Sequence, residues 1–287
     1  MRTLLLTTLA LTAASLASAQ AQDRAGWPTV INFGLIPTEG SAASEERFRP
    51  LFDYLEKSLG VPVKAYVGAD YAAVIVAMQN KKLDIGYFGP KSYIEAADRA
   101  GAVALVKDNA VKGGTGYTSV LISKAGGKIR SVADAKGADF AFVDPNSTSG
   151  YLVPLSHFLL EMKVKPEDYF KRVTFAGSHE NVVLGVLNGT IPVGATNNLD
   201  LDRAVEKGAA KRSDFNVLWT SKSIPSGPIA ARKDLPVSFQ TALKTALLKF
   251  NDAKGLEQLQ LKGYVAASDS DYNPVRDLNK VTQAAQK

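Results

Sequence analysis

The chain has 287 residues, 46% of them hydrophobic and 22% charged, with no cysteine and only two histidines, His157 and His179. Such a composition can bury a core over one large or two ordinary domains. The lack of cysteine excludes a disulfide framework, a zinc–thiolate site, a thiol nucleophile and a lipidated N-terminal cysteine. The net charge of +6 is spread without a run of five like charges, which excludes a nucleic-acid groove and leaves a general attraction to small anions.

Arg2 precedes an uncharged stretch from Thr3 to Ala21 with an apolar centre at Leu4–Leu16, followed by the small-residue sites Ala17-Ser18-Ala19 and Ala19-Gln20-Ala21. This predicts a secretory signal peptide over residues 1–19, with an alternative cut after 21. The apolar core is too short to span a bilayer comfortably. The expectation is an exported, freely diffusing protein without a lipid anchor.

The mature chain alternates short apolar runs with amphipathic helices. Strands are predicted at 30–36, 62–67 and 83–88. Between and after them, helices carry Phe48, Leu51, Phe52, Leu55 and Leu59, then residues 71–80, then 92–100. This β-α-β-α-β run predicts a parallel sheet with helices on both faces. The pattern restarts with strands at 117–123, 139–143, 173–175, 191–195 and 216–219. Its helices bear Leu152, Leu155, Leu159 and Met162, then 182–187. A short strand at 228–232 precedes a last strong helix with Phe239, Leu243, Leu247 and Phe250 on one stripe. That helix needs an apolar surface to cover, so the second unit is expected to be inserted in the first. The expected division is 27–118 plus 228–287 for lobe 1 and 119–227 for lobe 2, with hinge segments near 117–123 and 225–232.

Asp144-Pro145-Asn146-Ser147-Thr148-Ser149-Gly150 lies between a strand and a helix expected to start near Tyr151. A helix N-terminus carries unpaired N–H groups and partial positive charge. The hydroxyls of Ser147, Thr148 and Ser149 add a compact ring of donors suited to a phosphate-like oxyanion, whereas an ordinary cap needs only one. Tyr71 opens a helix and Tyr117 follows a glycine-rich loop; each phenol can donate to an anion or simply pack. His179-Glu180 opens a helix, Thr196-Asn197-Asn198 ends a strand where ligand-facing loops gather, and Asp200 lies two residues beyond. Glu39 and the 37–44 loop either line a cleft or cap the first helix. There is no GxSxG, HExxH or P-loop, so the reading is a binding protein without cofactor or metal.

Asp70-Tyr71-Ala72, Leu83-Asp84-Ile85, Gly116-Tyr117-x-Ser119-Val120-Leu121-Ile122, the Asp144–Gly150 string with Leu152-Val153-Pro154, His179-Glu180 and Ala195-Thr196-Asn197-Asn198 stand in one order. In this the chain resembles the phosphate/phosphite/phosphonate-binding proteins of ABC transporters, in their phosphonate branch, from Asn32 to about Arg232. The resemblance implies an α/β type II periplasmic binding protein fold with two lobes joined by a two-segment hinge. It also implies capture of a small-molecule phosphonate in the periplasm and delivery to an ABC transporter permease. The phosphonate group would be held by Ser147, Thr148, Ser149 and the helix amides behind them, by Tyr71 and Tyr117, and by His179. Two acids hold the ammonium of aminoethylphosphonate in one such protein. Asp200 matches one of them, and Gly227 stands in the place of the other. Losing that acid is expected to weaken preference for an amino-bearing ligand, leaving as alternatives a binding protein for phosphite or a simple alkylphosphonate, or a ligand-sensing module for a membrane receptor.

Overall fold

The computed structural model describes residues 24–286, so the expected signal peptide lies outside the described residues. Among those described, no helix is long and apolar enough to cross a membrane.

Two main sheets organise the chain. In the first, Leu261–Ala266, Ala102–Ala110, Pro228–Arg232, Ile85–Tyr87, Ile31–Leu35 and Val63–Val67 lie side by side in that order. Ile31–Leu35 is parallel to both of its neighbours, Ile85–Tyr87 and Val63–Val67. These are the three strands of the predicted β-α-β-α-β run. The other half is antiparallel, because Pro228–Arg232 runs against both of its neighbours and Leu261–Ala266 against Ala102–Ala110. The expected parallel sheet is therefore a mixed one. Ala102–Ala110 escapes the sequence pattern because its second half, Lys107-Asp108-Asn109, is poor in strand-forming residues.

Helices cover both faces of this sheet. On one, the stripe Phe48, Leu51, Phe52, Leu55 and Leu59 of helix Ser41–Leu59 packs with Phe239, Leu243 and Leu247 of helix Val237–Leu248. On the other, helices Tyr71–Gln79 and Pro90–Ala100 bury Val74, Met78, Tyr93 and Ile94.

The second sheet runs Phe215–Thr220, Ser119–Lys124, Val193–Asn197, Asp139–Phe142 and Arg172–Phe175. One face packs Phe140, Phe142, Leu155 and Phe158, and the other Val120, Ile122, Val183 and Val186. The chain passes from the first sheet to the second and back. The two passages meet as a short antiparallel pair, Tyr117 opposite Ile224 and Gly116 opposite Pro225. Ser119–Lys124 belongs wholly to the second sheet and Pro228–Arg232 wholly to the first, so the connecting segments are shorter than the hinge strands expected from the sequence.

The helix expected to start near Tyr151 starts earlier. Ser147 is its cap, its hydroxyl accepting from Gly150 N–H at 3.0 Å, and Thr148 is its first residue. Gly150 sits against the strand end. A Cβ there would lie 2.4 Å from a Val143 methyl, so only glycine lets the helix start so close to the sheet. Wide turns at Thr148–Leu152 and His157–Glu161 flank an α-helical turn at Val153–Ser156. The terminal helix Asn273–Gln286 packs on both Pro90–Ala100 and the 148–161 helix, so it touches both units.

Candidate ligand-binding site

A cavity of about 60 Å³ lies between the two sheets. Its lining includes Tyr71, Tyr117, Ser147, Thr148, Ser149, His179 and Asp200. These residues come from separate segments, and the reason they meet is topological. Tyr71, Pro90, Thr148 and His179 are the first residues of four helices, and Leu199 and Asp200 stand in the first turn of a fifth, Asn198–Glu206. Each helix N-terminus carries roughly half a positive charge and unpaired N–H groups. Five of them aimed at one small volume make a strongly anion-attracting place without a free cation.

The side chains add neutral donors. Burial, together with Asp200 and Asp144, pushes the Tyr71 phenol well above its usual value. Burial also raises Tyr117, against hydrogen bonds with Ser149 and Thr148 that pull it down. Both phenols therefore keep their protons at any physiological pH. Burial pushes the His179 imidazole below its usual value, with Arg203 acting the same way and Asp200 opposing. The ring is thus neutral near pH 7. Its Nδ1 lies 3.0 Å from Thr196 Oγ1, and a neutral ring offers one N–H as donor.

The Asp200 side chain is only 12% exposed, and it does not cap its helix. The cap is Asn197, whose Oδ1 accepts from Asp200 N–H at 2.8 Å while its Nδ2 donates to Asp200 Oδ2 at 2.6 Å. Arg203, one turn on, grips the other carboxylate oxygen. Burial raises the Asp200 carboxyl, but Arg203, His179 and Asn197 outweigh it and hold the group below its ordinary value. Its charge is already answered inside the protein.

Further residues of the lining escape sequence reasoning. Arg203 had a legible signal, since Asp200 and Arg203 are at i,i+3 on one helix face. Arg47 adjoins Phe48 at the start of the buried stripe of Ser41–Leu59, where it donates from Nε to Glu39 at 2.5 Å and from Nη2 to Thr38 at 3.2 Å. Glu39 also meets Lys207 at 2.5 Å, so this residue ties the first unit to the second.

Asp108 has no signal at all, yet it is a buried cavity-lining carboxyl whose side chain accepts one hydrogen bond, from Tyr87 Oη at 2.8 Å. Burial raises it from 3.8 to about 6, against the pull of Tyr87, Arg47 and Arg203. The folded protein therefore holds this proton more tightly than the unfolded chain does. The resulting penalty is absent below pH 3.8, grows through the window to about 6 and is complete above it. Asp108→Asn is expected to stabilise the protein at pH 7 by on the order of 2 kcal/mol, a gain that disappears when thermal unfolding is followed down to about pH 4.

Gly227 lies on the same wall. Its carbonyl accepts from Asp108 N–H at 3.2 Å. A Cβ at this position would stand 2.4 Å from the Phe88 carbonyl oxygen, so the backbone leaves no room for an acidic side chain. Among the described residues, no group of three or more His, Asp or Glu side chains is placed to hold a metal ion.

Two α/β units, linked by paired strands and closed over an interior cavity, define a two-lobed solute-binding protein. Residues 33–272 match the family described as "ABC transporter, phosphonate, periplasmic substrate-binding protein". The chain belongs to that family, whose members are transport components of the periplasm and not enzymes. It is 34% identical over 270 residues to the phosphonates-binding periplasmic protein of Escherichia coli (strain K12), covering 91% of this chain and 78% of that one. It is similar to the crystal structure of a binding protein component of an ABC phosphonate transporter from Pseudomonas aeruginosa. There the TM-score is 0.85 at 34% identity, over 90% of this chain and 87% of that one. The structure of PhnD1 from Prochlorococcus marinus in complex with methylphosphonate shares the fold, with a TM-score of 0.81 at 23% identity, over 89% of this chain and 99% of that one.

Proposed function

We propose that the cavity captures the phosphonyl group of a small organophosphonate for delivery to an ABC transporter permease. In this reading Ser147, Thr148, Ser149, Tyr71, Tyr117 and His179 donate to its oxygens. Asp200 acts as a positioning group that orients Asn197 and Arg203 and faces His179. The observation that carries the reading is the meeting of neutral hydroxyls with five helix N-termini in one cavity. The space fits. At about 10–15 Å³ per water on this scale, about 60 Å³ takes a tetrahedral oxyanion with a short arm and nothing bulky. Charge-assisted hydrogen bonds contribute about 1.5–3 kcal/mol each, and five or six of them support a Kd between about micromolar and nanomolar after association costs.

Calorimetry with methylphosphonate, ethylphosphonate, phosphite and phosphate tests the assignment and separates phosphite from the alkylphosphonates. Absence of binding to all of them would overturn it.

The same reading gives the connecting pair Gly116–Tyr117 and Ile224–Pro225 the role of hinge, with ligand selecting the closed arrangement. Several bonds cross between the units here. Lys91 N–H donates to Thr148 Oγ1 at 2.7 Å, Glu180 N–H to Thr38 O at 3.1 Å, and Gly40 N–H to Glu180 Oε2 at 2.9 Å. Glu180→Ala removes the last of these without touching the cavity lining. It is expected to weaken phosphonate binding by about three- to tenfold through a smaller closed population, as a calorimetric titration would show.

A further inference from the structure

The acids around the cavity are not equally satisfied. Glu39 is held by Arg47 and Lys207, and Asp200 by Arg203 and Asn197. Those ion pairs use both arginines of the cavity wall. Asp108 is the exception. Among the described residues no lysine, arginine or histidine nitrogen comes within ion-pair distance of it, and its side chain has only a neutral phenol, Tyr87, as donor. The cavity also continues past it. A second chamber of about 40 Å³ shares Arg47, Tyr87, Asp108, Leu199 and Arg203 with the first, and is closed by Leu261 and Tyr264. The Tyr264 hydroxyl is buried there without a hydrogen-bond partner. A buried carboxylate without an ion-pair partner is costly to keep, and here it stands between two spaces lined by shared residues.

We propose that Asp108 is a further ligand-binding residue, a selector that pairs with a cationic group on the organic arm of the phosphonate. The inference rests on the assignment of the cavity as a phosphonate site. The ligand class it names is an aminoalkyl phosphonate, a zwitterion whose anionic end meets the helix N-termini while its ammonium supplies the charge Asp108 lacks. Gly227, the neighbour of Asp108 across the strand pair, has no space for a competing acid. Asp200, committed to Arg203, does not take this role.

The experiment compares matched pairs on the purified full chain: 2-aminoethylphosphonate against ethylphosphonate, and 3-aminopropylphosphonate against propylphosphonate. The readout is the affinity ratio within a pair, so effects common to both phosphonates cancel. At about pH 7.5 at least one amino compound is expected to bind about tenfold tighter than its partner, a gain of about 1.4 kcal/mol. In Asp108→Asn that ratio is expected to fall to about one, with a thermal melt confirming that the variant is folded.

A second measurement follows the ratio with pH, in the wild type and in Asp108→Asn alike. The groups facing Asp108 are Tyr87, Tyr117, Tyr264, Tyr272, Arg47 and Arg203. The four phenols, raised by burial, keep their protons between about pH 5 and 7.5, whereas the carboxyl changes charge there. The wild-type ratio is therefore expected to drop several-fold more at about pH 5 than the Asp108→Asn ratio, whose pH series carries only the ligands' own phosphonate ionisation. An amino compound that binds no tighter than its alkyl partner overturns the proposal. So does a ratio untouched by Asp108→Asn, or a pH dependence of the ratio that is the same in the wild type and in Asp108→Asn. If no phosphonate of either kind binds, the assignment of the cavity fails first and this inference with it.

Discussion

Replacing Ser147 and Thr148 together by alanine is expected to lower phosphonate affinity by at least about a hundredfold. Two charge-assisted donors are removed, at about 1.5–3 kcal/mol each, and about 1.4 kcal/mol is a factor of ten. Both hydroxyl oxygens already accept a backbone N–H, from Gly150 at 3.0 Å and from Lys91 at 2.7 Å. Their protons face the phenols, Ser147 toward Tyr71 and Thr148 toward Tyr117, and can turn from there to a ligand oxygen. The accepting side has its own consequence. Losing the Ser147 cap costs stability of about 1 kcal/mol, and losing the Thr148 bond cuts a tie between the lobes. Ser147→Ala alone, measured by both calorimetry and thermal unfolding, separates helix capping from ligand binding. Affinity for methylphosphonate within about threefold of wild type in the double variant, with the fold intact, would exclude the helix start as the oxyanion site.

The second large effect runs against a simple reading of sequence similarity. If Gly227 stands where a related protein has an acid, Gly227→Asp looks like a way to restore recognition of an ammonium. The structure leads to the opposite expectation. The added Cβ would lie 2.4 Å from the Phe88 carbonyl oxygen, and that backbone is fixed because Phe88 N–H donates to Pro228 O at 3.0 Å. Overpacking of this kind costs about 1–3 kcal/mol. A charged carboxylate forced beside Asp108 adds like-charge repulsion. Gly227→Asp is expected to melt several degrees lower and to bind every phosphonate more weakly, with no gain for the amino compounds. Gly227→Ala, which adds only the methyl, is expected to show most of the loss in melting temperature. A stable Gly227→Asp protein with improved aminoethylphosphonate affinity would overturn this account.

The legible part of the molecule is the part with strong periodicity or dense local chemistry. The stripe from Phe48 to Leu59 marks one helix, and Ile31–Leu35 is apolar enough to read as a buried strand. The hydroxyl run Ser147–Ser149 stands out because a plain cap needs one hydroxyl. What stays hidden is set by distant contacts. Lys107-Asp108-Asn109 carries no strand pattern of its own and lies in a strand because Pro228–Arg232 and Leu261–Ala266 pair with Ala102–Ala110 on either side. Asp108 is buried by that pairing and by nothing in its own neighbourhood. The neutralisation of Asp200 was half legible, in the i,i+3 spacing to Arg203. The clash that forbids a side chain at Gly227 was not, since it comes from a carbonyl more than a hundred residues away in the chain.

The five helix starts around the cavity have one more consequence. Two of them, Tyr71–Gln79 and Pro90–Ala100, belong to the lobe of the first sheet, and three, from Thr148, His179 and Asn198, to the other. In the hinge reading proposed above, shutting the two lobes without a guest would bring these positive ends face to face, where they repel. An anion between them turns that repulsion into attraction on both sides at once. The guest is then a keystone as well as cargo: its charge makes the shut arrangement favourable, and the same charge must be withdrawn before the lobes part. A neutral molecule of the same shape would fill the space and leave the arch unsupported.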